Sequence, residues 1–285
     1  MKKRISSETE VIDPTKKGHT SQKRGFTSER ISFNRKMVAV SAAVTAGKST
    51  IHSLCEADIT LPRRMMREHH ERTGEKLSFT AYIVYCLAQV VKEHPHLNAF
   101  RRGNRLITLD DVTVSVLVER EFSGEKVPEP LAIEAAQRLS YQEVNDRIRS
   151  AKTRTDSSLG GFSGMTWIRH IPGFLLETFV RLADRNIRMA KRYGKVAVTA
   201  VGMFSREPIW FIPHGSTTVL ITVGSIEKRI IFTSERHEER EFLCLTGSFD
   251  HDIVDGAPAA RFMNQFLETL KSGIGLGSGE YLPGD

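Results

Sequence analysis

The order of strand-like and helix-like segments is the feature that most constrains the fold of this chain. Alternating polar and apolar residues predict β-strands at 51–60 (IHSLCEADIT), 112–120 (VTVSVLVER) and 240–249 (REFLCLTGSF). Apolar residues at helical spacing predict helices at 78–93 and 256–271. Because these segments do not alternate strictly as β-α-β units, we expect one α+β domain built on a large mixed sheet.

The remaining segments fit the same architecture. Pro62 suits the first turn of a helix that stops at Gly74, and Gly103-Asn104 is a hairpin-turn signal. Two short strands within 217–233 are expected to pair around a tight turn. Further helices are predicted at 34–47 and 139–152, and the helix at 256–271 should bury one face, formed by Met263, Phe266, Leu267 and Leu270.

Charge and periodicity divide the chain into three parts. Residues 1–30 hold eight Lys/Arg and four Asp/Glu, which is +4 of the formal net charge of +7, and they predict a disordered, solvated basic tail rather than a nucleic-acid interface. The folded domain is expected at 31–272, followed by a Gly-rich tail at 273–285. No apolar run is long enough to cross a bilayer and no secretory signal is recognised, so a cytoplasmic location is expected.

The three cysteines do not indicate a metal site. Cys55, Cys86 and Cys244 lack metal-ligand spacing and cannot all pair with one another. Each lies in an apolar context, so buried and reduced thiols are expected, and no metal is predicted.

Residues 165–193, within a segment at 153–193, form an amphipathic stretch. One helical face is predicted to carry Leu175, Phe179, Leu182 and Met189. Beside it lies a basic stripe of Arg181, Arg185, Arg188 and Arg192. A surface helix packed on the domain is the favoured interpretation, and a helix that docks on a membrane surface or on a partner is the alternative.

The segment SFDHDIVDGAPAARF (248–262) places a histidine where a strand gives way to a helix. His251 would lie at the rim of the sheet near a helix N-terminus, and Asp255-Gly256 suits a turn or an N-cap. A single histidine in such a pattern is more often structural than catalytic, so further features are needed to assign it a role.

Those features come from a resemblance to a known family. SFDHDIVDGAPAARF resembles the segment that closes the catalytic domain of the 2-oxoacid dehydrogenase (dihydrolipoamide) acyltransferases, which share a fold with chloramphenicol acetyltransferase. Upstream, NRKMVAV, IHSLCEADIT, KLSFTAYIVYCLAQVVKEHPHLNAF, DDVTVSVLVE and VAVTAVGMF resemble successive family segments in the same order. The resemblance covers roughly 31–150 and 194–271, and it implies a two-layer α/β sandwich of the chloramphenicol acetyltransferase-like fold.

The resemblance also implies roles for individual residues. His251 matches the catalytic base, and Thr199 matches the hydroxyl residue that faces the oxyanion. Asp255 matches an aspartate that holds the catalytic turn through an arginine, for which Arg35 is the candidate, and Gly256 matches the glycine of the motif. Coenzyme A is implied as the acyl carrier, and the site would lie between subunits of a homotrimer.

The chain departs from the family pattern in three places. Residues 1–30 are too short to supply the lipoyl and subunit-binding domains, so we expect no lipoyl group on this chain. Asp252 follows the catalytic histidine where an arginine is usual, which makes Asp252 a candidate for specificity. The segment 153–193 is divergent.

The prediction is therefore a stand-alone acyltransferase that moves an acyl group between coenzyme A and an acceptor. The acceptor would be a dihydrolipoyl group on a carrier protein or another dehydrogenase-complex subunit, or a small thiol or hydroxyl compound. The alternative is a non-catalytic trimeric scaffold derived from the same fold.

Overall fold

A mixed β-sheet organises the part of the chain that this computed structural model describes, namely residues 21–23, 25–29, 31, 33–122, 125–153, 171–202, 205, 207–232 and 237–277. The strands are β1 (Ser21–Lys23), β2 (Phe26–Ser28), β3 (Thr50–Asp58), β4 (Ala99–Arg102), β5 (Arg105–Thr108), β6 (Val114–Phe122), β7 (Glu125–Ile133), β8 (Val196–Ala200), β9 (Val219–Phe232) and β10 (His237–Asp250). The helices are α1 (Phe33–Thr45), α2 (Thr60–Thr73), α3 (Phe79–Glu93), α4 (Tyr141–Thr153), α5 (Gly173–Asp184), α6 (Ile187–Tyr193) and α7 (Gly256–Lys271).

The main sheet has the strand order β3-β10-β9-β8-β6-β7. Strand β8 runs parallel to both of its neighbours, β6 and β9, whereas the other pairs are antiparallel. The predicted α+β class with a mixed sheet is therefore confirmed. Two hairpins lie outside the sheet: β4–β5, as predicted around Gly103, and β1–β2, which lies within the segment predicted to be a tail.

Helices α3, α4 and α7 cover one face of the sheet and enclose the core. Helix α7 buries Phe262, Met263, Phe266 and Leu270, and Leu267 packs against the same cluster. The hydroxyl of Tyr82 on α3 donates to the carbonyl of Leu270 at 2.8 Å, which joins the two helices inside the core. Leu276, in the segment predicted to be a Gly-rich tail, also packs into this core.

The predicted tight turn within 217–233 is wrong, because β9 continues through it as one strand of 14 residues. Its partner β10 shifts register between Leu243 and Leu245, so the residues that suggested a turn form a β-bulge. The bulge needs a glycine: a Cβ on Gly224 would lie 2.2 Å from the carbonyl oxygen of Ile209.

Strand β7 was not predicted. It contains Pro128 and Pro130, and prolines argue against a central strand because they cannot donate to a ladder. The structure places β7 at the edge of the sheet, where one side of the strand needs no ladder partner. The prolines are therefore compatible with the observed position.

The amphipathic stretch differs from its prediction. Residues 165–170 lie outside the described ranges, and the remainder forms two helices, because the side chain of Asn186 caps α6 by accepting from the amides of Arg188 and Met189. The packed face of α5 is Leu176 and Val180, which meet Met37 and Val40 of α1. Three residues of the predicted apolar face are exposed by about half or more: Leu175, Phe179 and Leu182.

No helix within the described ranges is long and apolar enough to cross a membrane.

A buried lysine fastens α5 to the sheet. Lys195, directly before β8, has a side chain only 6% exposed, and its Nζ lies 2.7 Å from Oδ1 of Asp184. The same ammonium donates to the carbonyl of Asp184 at 2.8 Å and lies 5.2 Å from the ring centroid of Phe100. Burial lowers the pKa of Lys195, and the carboxylate of Asp184 opposes that shift. The C-terminal end of α5 is thus held by an ion pair that is largely buried from water.

Replacing Asp184 by Asn is expected to lower the free energy of unfolding by roughly 3 kcal/mol, because it leaves a buried ammonium without its carboxylate. Urea denaturation followed by circular dichroism measures the change. The matched control is Glu177→Gln on the same helix, whose partner Arg181 is 58% exposed, and there we expect less than about 1 kcal/mol. Equal losses in the two variants would show that Lys195 does not depend on Asp184.

Candidate active site

Residues 250–255 form the turn that the sequence predicts to be the catalytic turn, and backbone hydrogen bonds hold it in place. The amide of His251 donates to the carbonyl of Ser49 at 2.8 Å, and the amide of Asp250 donates to the carbonyl of Thr218 at 3.0 Å. The amide of Val254 donates back to the carbonyl of Asp250 at 2.9 Å, which closes the turn before α7 begins. These contacts fix the main chain while the side chain of His251 remains 44% exposed.

Asp255 lies beside the imidazole. Its Oδ1 is 3.8 Å from Nδ1 of His251, and its side chain is 85% exposed. That separation is longer than a hydrogen bond, so Asp255 acts on the ring as a nearby charge. Asp255 is the N-cap residue of α7 in position, but its side chain makes no capping hydrogen bond.

The pairing of Asp255 with Arg35 stays a prediction. Arg35 lies on α1 and is exposed, and within the described chain the ion pair of Asp255 is with His251. Gly256 opens α7, and a Cβ built there meets no atom within 4 Å. The motif glycine is therefore not required by crowding within this chain.

Asp252 points toward the β4–β5 hairpin. Its Oδ2 lies 3.2 Å from Nη1 of Arg101, and both side chains are at least half exposed. Its amide donates to Oδ1 of Asp250 at 3.1 Å. The carboxylate that departs from the family pattern is thus paired with a hairpin arginine.

Two residues that the sequence did not single out support the turn. Asp250 is 8% exposed, and its Oδ2 accepts from the ammonium of Lys48 at 3.1 Å. Lys48 also donates to the carbonyl of Ser216 at 2.7 Å. The sequence signal for Asp250 was its place directly before His251, but its partner Lys48 lies about two hundred residues away and could not be read locally.

Thr199 lies in β8, buried at 6% exposure, in a row with two other threonines. It pairs with Thr222 of β9, which pairs with Thr246 of β10, so the three side chains share one face of the sheet. The hydroxyls of Thr222 and Thr246 are buried and have no hydrogen-bond partner among the described residues. Thr199 therefore belongs to a polar row that the sequence did not reveal.

Within one chain Thr199 and His251 are far apart. Thr199 is level with Thr246, which lies two strands away on β10. His251 follows Thr246 by five residues, so it is five residues further along the strand direction than Thr199 and two strands across the sheet. At about 3.3 Å per residue and about 4.8 Å per strand, the two positions are roughly 19 Å apart. A base and an oxyanion donor that serve one reaction must each lie about 3 Å from the reacting atoms. One copy of the chain does not bring them together.

Burial raises the pKa of all three cysteine thiols. Burial raises the pKa of Cys86 to about 12 and that of Cys55 to about 11. Cys86 and Cys244 are buried and Cys55 is half-buried, all as free thiols. In the ranges that the structure describes, no group of three or more His, Cys, Asp or Glu side chains could hold a metal ion.

A family model described as 2-oxoacid dehydrogenases acyltransferase (catalytic domain) matches residues 23–162 and 189–276. Among curated proteins, the acetyltransferase component of the acetoin cleaving system of Bacillus subtilis (strain 168) is 26% identical over 220 residues, which cover 76% of this chain and 48% of that protein. The succinyltransferase component of the 2-oxoglutarate dehydrogenase complex of Staphylococcus saprophyticus is 24% identical over 232 residues, 80% of this chain and 47% of that protein. The chain spans about half the length of these curated relatives.

Two solved structures share the fold. Dihydrolipoamide acetyltransferase of Azotobacter vinelandii matches with a TM-score of 0.62 at 16% identity, over 94% of this chain and 98% of that chain. A truncated catalytic core of the 2-oxoacid dehydrogenase multienzyme complex of Thermoplasma acidophilum matches with a TM-score of 0.60 at 16% identity, over 87% and 98%. Together with the family model, which covers most of the chain, these similarities lead to one conclusion: the chain belongs to the 2-oxoacid dehydrogenase acyltransferase family, in its catalytic domain.

Proposed function

We propose that this protein transfers an acyl group between coenzyme A and an acceptor, with His251 as general base and Thr199 of a neighbouring chain as oxyanion donor. The observation that carries the proposal is the turn at 250–255. Hydrogen bonds fix its backbone, and the imidazole of His251 remains exposed. Family membership supplies the reaction class. Acyl-coenzyme A enters as a substrate, and the acceptor is a thiol such as a dihydrolipoyl group or another small nucleophile.

The chemistry requires a base because a free thiol is mostly protonated at neutral pH. An imidazole is the side chain most often used as a general base, so His251 can remove the thiol proton as sulfur attacks the thioester carbonyl. Nδ1 faces the carboxylate of Asp255, which leaves Nε2 to meet the acceptor. The new carbon–sulfur bond forms, and the carbonyl oxygen becomes an oxyanion that the Thr199 hydroxyl stabilises by donating to it.

Collapse of the tetrahedral intermediate completes the transfer. The oxyanion electrons re-form the carbonyl, the bond between the acyl carbon and the coenzyme A sulfur breaks, and the imidazolium returns its proton to the departing thiolate. The reaction is balanced without an added base, metal or covalent acyl-enzyme.

We infer that the chain works as a homotrimer, in which neighbouring copies can complete one site. The separation of roughly 19 Å between Thr199 and His251 in one chain follows from the strand register, so a complete site needs residues from two copies. One solved structure with the same fold, at a TM-score of 0.60, is the cubic core of a pyruvate dehydrogenase multienzyme complex. Another was determined to examine a serine, a histidine and an asparagine in the mechanism of the Azotobacter acetyltransferase. A serine and a histidine in that role are of the same kinds as the hydroxyl and imidazole proposed here.

The position of α5 also favours an enzyme over a scaffold. An inserted segment that plugged the site would point to a protein that had lost catalysis. Among the described residues, α5 instead lines an open cavity of about 500 Å³, whose lining includes Asp250 and Asp252 on either side of His251 in the sequence. This space for a small substrate group supports a catalytic role.

His251→Ala is expected to lower acyl-coenzyme A turnover by about 10²- to 10⁴-fold, because the thiol then loses its positioned base. Turnover is measured with a panel of acceptors that includes dihydrolipoamide. The matched control is His237→Ala, an exposed histidine at the opposite end of β10, which should keep full activity. Wild-type turnover in His251→Ala would refute the assigned mechanism.

Mixing two inactive variants tests the shared site. His251→Ala and Thr199→Val should each be impaired alone, whereas chains refolded together should regain about a quarter of the wild-type sites if assembly is random and each site uses two chains. The recovered turnover in the mixture is the measurement. If the mixture stays as inactive as either parent while it assembles normally, both residues act within one chain or neither acts as proposed.

A further inference from the structure

An open cavity of about 500 Å³ lies between α5, the β4–β5 hairpin, the end of α1 and the catalytic turn. That volume is within the usual range of small-molecule sites, which is about 300–1,000 Å³. Its lining includes Phe100 as an apolar surface and Asp250, Asp252 and Ile253 of the turn that carries His251. A molecule bound there would lie close to the proposed base.

The cavity carries an excess of positive charge. Its lining includes the cations Lys48, Arg101, Arg181, Arg185 and Lys195, and the carboxylates Asp184, Asp250 and Asp252. Each carboxylate is already paired within the lining, and these pairs are Lys48–Asp250 at 3.1 Å, Lys195–Asp184 at 2.7 Å and Arg101–Asp252 at 3.2 Å. Three of the five cations are paired with these carboxylates, so two arginines have no carboxylate partner within the lining.

Those two arginines are Arg181 and Arg185, which are four residues apart at the end of α5. Arg185 has no ion pair with any residue in the described ranges, and Arg181 has an exposed pair with Glu177 at 2.7 Å. An exposed pair of that kind contributes little to the stability of the helix, so a ligand can recruit Arg181 at small cost. Side chains at this spacing project from the same side of a helix, about 6 Å apart.

Both arginines lie in a segment that the family model does not match. The family model matches residues 23–162 and 189–276, so residues 163–188 have no counterpart in it. The buried Lys195–Asp184 pair and the Leu176 contact with α1 hold this segment against the matched domain. The unmatched segment therefore adds cationic groups to a cavity whose other walls come from the family fold.

We propose that this cavity binds an oxyanion group, phosphate or carboxylate, of a substrate, held by the guanidinium groups of Arg181 and Arg185. The planar guanidinium fork matches the geometry of both anions and remains charged at every physiological pH. The identification of the ligand as a substrate rests on the proposed function, whereas binding of the anion does not. The oxyanion belongs either to coenzyme A or to the acceptor.

Inorganic phosphate is the first probe and succinate the second, each titrated into the full-length protein by calorimetry. Arg185→Gln should weaken binding of at least one probe about tenfold, because a charge-assisted hydrogen bond is lost. Arg181→Gln should weaken the same probe, and Arg185→Lys should weaken it less than Arg185→Gln does. The matched control is Arg188→Gln, an exposed arginine of α6 outside the cavity lining, which should leave affinity within about twofold.

Two results would overturn the proposal: no binding of either probe to the wild-type protein, or equal weakening by Arg185→Gln and Arg188→Gln. Repeating the titration with saturating coenzyme A distinguishes the sources. Competition assigns the cavity to a phosphate of coenzyme A, and undiminished binding assigns it to an anionic acceptor. If acyl transfer proved undetectable while Arg185-dependent anion binding persisted, the proposed function would fail and the anion site would stand.

Discussion

The register of three central strands sets the distance between Thr199 and His251, the two proposed catalytic residues. Hydrogen bonding between β8, β9 and β10 sets Thr199, Thr222 and Thr246 side by side and places His251 well beyond them. A slip of one residue would turn the threonines into the core and expose the apolar residues that now face the helices. Burial of those apolar residues against α3 and α7 therefore also fixes the separation of the two proposed catalytic groups. That separation is the physical reason why the proposed site requires residues from two chains.

The turn at residues 250–255 shows how a fixed backbone can leave a side chain exposed to solvent. The amides of residues 250–254 all donate hydrogen bonds, and the carboxylate of Asp250 forms an ion pair with Lys48. The side chain of His251 is nevertheless 44% exposed, and the exposed carboxylate of Asp255 lies 3.8 Å from its Nδ1. A general base needs both properties, since its position must be reproducible while one ring nitrogen remains available to the substrate.

The segment at 171–193 shows where periodicity misled the prediction. Leu175, Phe179 and Leu182 share a helical face, but α5 packs through the adjacent line of Leu176 and Val180. Periodicity predicts an amphipathic helix, but it does not show which row of apolar side chains packs against the neighbouring helix. That choice depends on the shape of the α1 surface. The basic stripe was also divided: Arg181 and Arg185 line the cavity, whereas Arg188 lies on a separate helix that begins at the Asn186 cap.

The sequence by itself determined the fold class, most of the helices and the segment that carries the histidine, because local periodicity, caps and turn residues act over a few neighbours. Helix α7 and the Gly74 stop are examples, and so is the hairpin at Gly103. Only the tertiary structure decided the continuity of β9, the edge position of β7, the partner of Asp250 and the distance from Thr199 to His251. Each of these depends on pairing or contact between residues far apart in the chain, and a single sequence contains no local signal for which distant groups will meet.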